Sequence, residues 1–262
     1  MIYETSVWTK RGWTDPIDLL IGDVVISYNN RRNCTEYDQI SHINIDYGMT
    51  PIFGLKSHSL NISVTPDHPM IIRDIRKKTI ERKTMNDVFL SILQEHKSVL
   101  YSAPFEPYLV SHDLDDIAWS ARVASSFGND RYMPIEYVND IWSIIENISG
   151  IEAQHWIEVF IHWNVLIPRT YWHKAVYLNN KQVTEMVLHV VPRAGFGTRI
   201  AKHLKRSGRW VMGLSIQNTP QIRKTNWYRD RVEGYTFNVK TKNGNFLAKK
   251  SLGTFLCPCD IT

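Results

Sequence analysis

Cysteine is scarce in this chain: three in 262 residues, Cys34, Cys257 and Cys259. Three thiols cannot build a disulfide framework, and with no signal-peptide pattern at Met1 they read as reduced. Cys257-Pro258-Cys259 lacks partner ligands at zinc spacing and reads as inert. Long hydrophobic runs are missing, which excludes a bilayer-spanning helix and sets a cytoplasmic expectation. Internal repeats and low-complexity linkers are missing too, which excludes solenoids. Nor is charge of one sign dominant. The formal net charge of +5 and pI near 9.0 permit an anionic partner without demanding one. What remains, 43% apolar and 22% charged residues, is ordinary for a globular chain of one large or two small domains.

The chain changes texture twice. Residues 1–107 read as short strands broken by turns. "SVWTKRGW" alternates and turns at Arg11-Gly12, "GDVVISYNN" runs apolar until Asn29-Asn30, and "PIFGLKSHSLNISVTPDHPMIIR" supplies two or three more strands. Residues 112–228 read as α/β. "LDDIAWSARVASSF", "YVNDIWSIIENI" and "SGIEAQHWIEVFIHW" carry helical spacing, the first after an acidic turn and the third with Ser149 and Glu152 at capping-box spacing. "HKAVYLN" then reads as a strand and "NKQVTEMVLHVV" as a helix ended by Pro192. "GTRIAKHLKRSGRWVMGLSIQ" reads as a hairpin turning near Ser207-Gly208. Residues 229–262 return to strands around Asn243-Gly244, the strongest turn signal present. The expectation is an α+β protein: an all-β domain built from the two chain ends, interrupted by an α/β insert.

The strand segments resemble the Hint (Hedgehog/intein) domain. Glu4-Thr5, Gly12-Trp13 and Gly22-Asp23-Val24 take the places of its opening block. "VTPDHPMII" is similar to its second block, and "VEGYTFNVKTKNGNFLAKKSLGTF" to its penultimate one. The resemblance implies that Thr65 and His68 hold and protonate a strained amide beside a Cys or Ser nucleophile at or just before Met1. No such nucleophile stands there, and "FLCPCDIT" replaces the terminal His-Asn. Acyl transfer needs a thiol or hydroxyl beside the amide. Splicing is therefore not expected, and Thr65 and His68 read as inherited elements of the fold, a Thr-Pro-Asp-His turn bonding its own backbone.

The insert resembles a LAGLIDADG homing endonuclease of the phage type, in which two helices pack through small residues. Each delivers a carboxylate that binds a divalent ion, usually Mg²⁺, while adjoining sheets read DNA. "ARVASSFGND" is similar to the first motif, with Ala121, Ala124, Ser125 and Ser126 as its small residues and Asp130 at the metal carboxylate. "ISGIEAQHWIEVFIHWNV" is similar to the second motif, where the carboxylate position is Asn164. A neutral amide is a poor ligand for a hard cation, and Glu158, six residues earlier, lies nearly two turns back. Only 33 positions separate Asp130 from Asn164, too few for a four-stranded sheet as well as a helix. One of the two DNA-reading sheets is expected to be missing.

From Arg169 to Arg229 there are twelve Lys/Arg against a single acid, Glu185. So local a bias suggests a phosphate footprint. Lys174, Lys181, Arg199, Lys202, Lys205, Arg206, Arg209, Arg223 and Lys224 are the candidate DNA contacts. Trp163, Trp172 and Trp210 read as core residues. The sequence thus points to an intein-derived, non-splicing protein that binds double-stranded DNA with impaired or absent cleavage, in the cytoplasm of a host cell if phage-encoded. The alternative is an inert scaffold reused to bind a protein partner, for example in a viral assembly.

Overall fold

The computed structural model describes residues 5–56, 61–74, 79–91, 97–99, 106, 112–130, 132–167, 173–204, 209–215, 226–250 and 253–261. Within these, the side chains of 91, 97–99, 164–167, 173–175, 177, 197–204, 209–215, 253 and 260–261 lie outside the description. The architecture is α+β in two units. The first is Met1–Ser102 with Thr219–Thr262, and the second is Ala103–Asn218.

The first unit begins with β1 (Ser6–Thr9), β2 (Gly12–Thr14), β3 (Val24–Asn29), β4 (Cys34–Gln39), β5 (His42–Lys56), β6 (Asn61–Val64), β7 (Pro69–Asp74) and β8 (Ile80–Thr84). A short helix α1 (Met85–Ser91) and β9 (Lys97–Val99) follow, so the unit is not purely β as expected. The capping geometry explains the helix: Thr84 Oγ1 accepts the Asp87 N–H at 3.1 Å and donates to its carboxylate at 2.7 Å. After the insert come β14 (Trp227–Thr241), β15 (Asn245–Lys250), β16 (Gly253–Pro258) and β17 (Asp260–Ile261).

Three sheets result: β16-β15-β1-β3-β4 with β2 hairpinned onto β1, β17-β14-β5-β6, and β8-β7-β9. The two chain ends interleave throughout. β1 pairs with β15, and β14 runs antiparallel to β5 from Trp227↔Leu55 to Lys240↔His42. The core mixes both ends: Val7, Val25, Leu55, Val64, Ile72, Val239, Phe246 and Phe255. Asn243-Gly244 makes the expected turn, with Gly244 at φ 65° and its N–H on Thr241 O. The first unit resumes at 219, where the sequence reading began its last segment at 229. Trp227 and Tyr228 belong to β14, and only their pairing with Leu55 and Gly54 reveals it.

In the second unit, α2 (Leu114–Phe127), α3 (Ile135–Ile145) and α4 (Gly150–Asn164) precede β10 (Val165–Ile167) and β11 (His173–Leu178). Then come α5 (Lys181–Arg193), β12 (Gly197–Leu204) and β13 (Arg209–Ser215). The strands form one antiparallel sheet in the order β10-β11-β13-β12. From α4 onward the unit is helix-strand-strand-helix-strand-strand. No strand lies between α2 and α4 among the described residues; that span holds α3.

Candidate functional site

Two places carry the residues singled out by the sequence. The first is the turn before β7. His68 N–H donates to Thr65 O at 3.1 Å, and the start of α1 clamps the turn from outside: Met85 N–H donates to His68 O and Asn86 N–H to Pro66 O. The turn therefore has a rigid shape set by backbone groups. Its histidine faces one of the cysteines of Cys257-Pro258-Cys259, which the sequence leads one to expect to be inert. Cys257 Sγ on β16 lies 3.4 Å from His68 Nε2, 189 residues away in the chain. Arg82 of β8 donates to Cys259 O, and Cys259 Sγ lies 3.6 Å from Thr241 Oγ1.

Electrostatics decides what this pair can do. Burial pushes the His68 imidazole down to about 3, with the positive charge of Arg82 acting in the same direction. Burial pushes the Cys257 thiol up. Both partners are neutral at pH 7, with sulfur and imidazole nitrogen at hydrogen-bond distance and the Cys257 S–H directed to Pro258 O at 3.6 Å. The thiolate is the nucleophile and the metal ligand, so the pair as placed is unprimed for either task. No local sequence signal could have joined Cys257 to His68, because strand pairing alone brings them together.

The second place is the α2–α4 pair. Asp113 caps α2, its side chain accepting the Asp115 N–H. A reciprocal capping box starts α4: Ser149 N–H donates to Glu152 Oε2 at 2.7 Å, and Glu152 N–H to Ser149 Oγ at 3.2 Å. Burial works to raise the Glu152 carboxyl, but hydrogen bonds from the Ser149 and His112 backbones outweigh it and hold the group below the usual range.

The two helices pack together, with Ser120, Ala121, Ala124 and Ser125 buried on α2 and Ala153, Trp156, Ile157 and Phe160 buried on α4. The Trp156 indole N–H donates to Ser120 Oγ at 3.0 Å. Ser126, expected at the contact, is exposed and bonds Val123 O instead, while Ser120 takes the buried place. The reason is helical phase: Ser120 and Ala124 are four apart on one face, whereas Ser126 is rotated away from it.

Asp130 sits just past the end of α2, exposed, its N–H on Phe127 O at 3.0 Å. Asn164 is the last residue of α4, and its side chain lies outside the described residues. The neighbouring Gly128 carbonyl accepts the Asn179 and Asn180 N–H groups, which ties the end of α2 to the start of α5.

A magnesium ion needs several oxygen ligands, carboxylates foremost. Among the described residues no cluster of three or more His, Cys, Asp or Glu is arranged for a metal. Asp130 is a single exposed carboxylate, and Asn164 offers only a neutral amide, a poor ligand for a hard cation, so these two residues do not fit the ion.

The structure puts Lys174 on β11, Arg199 and Lys202 on β12, and Arg209 on β13, all strands of the one sheet; their side chains lie outside the description. Lys181 opens α5, its Nζ 3.9 Å from Glu185 in a solvent-exposed pair. Lys205, Arg206, Arg223 and Lys224 fall outside the described residues, as does Trp172. Trp163, expected in the core, is 63% exposed near the end of α4. The helix burial that governs Trp156 and Phe160 does not reach it.

No helix among the described residues is long and apolar enough to cross a membrane. No protein-family model matches the chain, and no curated protein matches it. Among solved structures, the chain is similar to a GSH-linked, splice-inactive variant of the AceL NrdHF class 3 split intein. That match has a TM-score of 0.44 and 10% identity, covering 100% of this chain and 98% of that one. It is also similar to a variant of the Ssp DnaB mini-intein, with a TM-score of 0.38 and 12% identity over 100% and 98%. Both neighbours are inteins.

Proposed function

We propose that the protein binds double-stranded DNA through the β10-β11-β13-β12 sheet and does not cleave it. The observation that carries this reading is the coincidence of that sheet with the most basic stretch of the chain. Of twelve Lys/Arg between 169 and 229, four lie on its strands, with one acid in the whole stretch. This sheet has four strands, the size the LAGLIDADG resemblance implies for a DNA-reading sheet. The absence of strands between α2 and α4 among the described residues, and the amide at Asn164, favour loss of cleavage over its retention. The neutral His68–Cys257 pair favours loss of splicing.

Fluorescence anisotropy of the full chain with duplex DNA tests the proposal. Binding should weaken steeply with salt, log K falling by about 0.9 per phosphate contact per log unit of salt. Arg199→Glu with Lys202→Glu should weaken it at least ~10-fold at constant fold. Salt-independent or absent binding below about 100 mM salt would reject the reading. In a plasmid assay with Mg²⁺, the wild-type chain should leave the DNA intact. Asn164→Asp is the variant that restores the second carboxylate, and nicking confined to it would support descent from a nuclease.

A further inference from the structure

The β5/β14 ribbon is unlike the rest of the first unit. β6 covers β5 only from Phe53 to Lys56, and β17 covers β14 only at Lys240 and Thr241. Between these ends the two strands pair only with each other among the described residues. Residues with odd numbers share one face, in cross-strand rows Ile45–Phe237, Tyr47–Tyr235, Met49–Glu233, Pro51–Arg231 and Phe53–Arg229.

Phe53 and Phe237 at the two ends are buried in the core, and between them the face is largely apolar and open. Tyr47 and Met49 are each 62% exposed, Ile45 and Tyr235 39%, and Pro51 is exposed as well. The Tyr47 and Tyr235 rings stand edge to face with centroids 4.8 Å apart, so the stripe is ordered. Beside it lie two charges. Glu233 accepts a hydrogen bond from Tyr47 Oη at 3.3 Å. Arg231 makes no ion pair among the described residues. Natural proteins blunt open ribbons or cover them.

We propose that a second copy of this chain covers it. Two ribbons stack face to face with strands antiparallel, about a twofold axis passing between the Met49–Glu233 and Pro51–Arg231 rows. The row arithmetic then makes the face self-complementary. Each Glu233 meets the other copy's Arg231, giving two reciprocal ion pairs, and each Met49 packs on the other copy's Pro51. Tyr235 lies over the other copy's Arg229, already placed on a ring within its own chain, 4.6 Å from the Phe53 centroid. Moving the axis half a row, onto the Met49–Glu233 row, sets Glu233 against Glu233, so charge selects the register as well as the partner. Each copy contributes six of the side chains in these rows, Met49, Pro51, Arg229, Arg231, Glu233 and Tyr235, fewer than the ~20–30 residues a side of a standard interface, and association is correspondingly weak.

Sedimentation velocity on the full chain over about 5–300 µM tests the proposal, with circular dichroism confirming that each variant keeps its fold. The wild type shifts from monomer to dimer with concentration. Arg231→Glu and Glu233→Arg each weaken the dimer at least ~10-fold, and the double variant Arg231→Glu/Glu233→Arg restores it, because the swapped charges again face each other. Met49→Asp abolishes it. A monomer throughout, a dimer indifferent to the single reversals, or a double variant no better than the singles would each overturn the proposal.

Discussion

At the residue scale, one glycine shows how a missing side chain places a polar group. Gly54 stands between Tyr228 on β14 and Ser63 on β6, paired with both. The Tyr228 ring lies across the space a Cβ would occupy; an added methyl would come within 2.0 Å of the ring. Its hydroxyl thereby reaches Ser63 Oγ at 2.7 Å, and Lys250 Nζ donates to the same oxygen at 3.1 Å. Gly54→Ala should expel the ring and cost about 2–4 kcal/mol in denaturant melts, within the range for breaking a buried network. Tyr228→Phe should cost only about 1 kcal/mol.

His68 makes a second prediction at this scale. A lowered histidine pKa means that the unfolded chain takes up the proton first. Its contribution to stability is complete above about 6.5 and drains away as pH falls toward about 3. The slope is at most ~1.4 kcal/mol per pH unit, and less for a ring that is not fully covered. In the native state the His68 imidazole resonances should stay in the neutral position at pH 5. A normal titration near 6.5 would show that the ring is not held against Cys257.

At the element scale, helix ends in the second unit are finished in two ways, one local and one not. The Ser149–Glu152 box and the Asn180 cap, whose side chain accepts from Gln182 and Val183 N–H, use residues two or three positions apart. Both follow from the physics of orphan N–H groups. Glu152→Ala should cost about 1–2 kcal/mol in chemical denaturation.

The C-terminus of α3 is finished from a distance. Arg193, fully buried on α5, donates to Glu146 O at 2.8 Å and to Ile145 O at 3.4 Å. His189 Nε2 lies 3.1 Å from the same Ile145 oxygen. A carbonyl only accepts, so that nitrogen carries the proton. Burial drives the His189 pKa well below 6.5, which keeps the ring neutral. Arg193→Met leaves these carbonyls short of donors and should destabilise the unit by about 1–3 kcal/mol per carbonyl, read as a lowered denaturation midpoint. Arg193 also explains why α5 runs one residue past Pro192, where the sequence reading stopped it. The helix ends where its arginine must turn inward, and proline so near the end removes few internal bonds.

At the scale of the whole molecule, each unit has its own core. The first mixes strands from both chain ends, and the second packs α2, α4 and α5 around Trp156, Phe160 and Val187. Separate cores imply separate responses. Trp156→Ala removes a fully buried ring and should cost about 3–5 kcal/mol. In calorimetry this should lower one of two unfolding transitions and leave the other in place. A single transition that moves as a whole would show that the units unfold together.

The sequence by itself determined whatever a short stretch of chain can decide: the acidic turn before α2, the cap at Ser149, the turn at Asn243-Gly244, the helices of the insert, and its strands β11, β12 and β13. Those features rest on hydrogen bonds and φ/ψ preferences within a few residues, so their cause is contiguous in the text. The local charge of the 169–229 stretch was legible for the same reason. Only the tertiary structure decided that Trp227 and Tyr228 begin β14, that Ser120 and not Ser126 faces α4, and that Trp163 stays in water. It alone placed Cys257 on His68 and Arg193 under α3. Each of these depends on which strand or helix comes alongside from more than 30 residues away, and that choice is made by the burial of whole faces, which no single segment records.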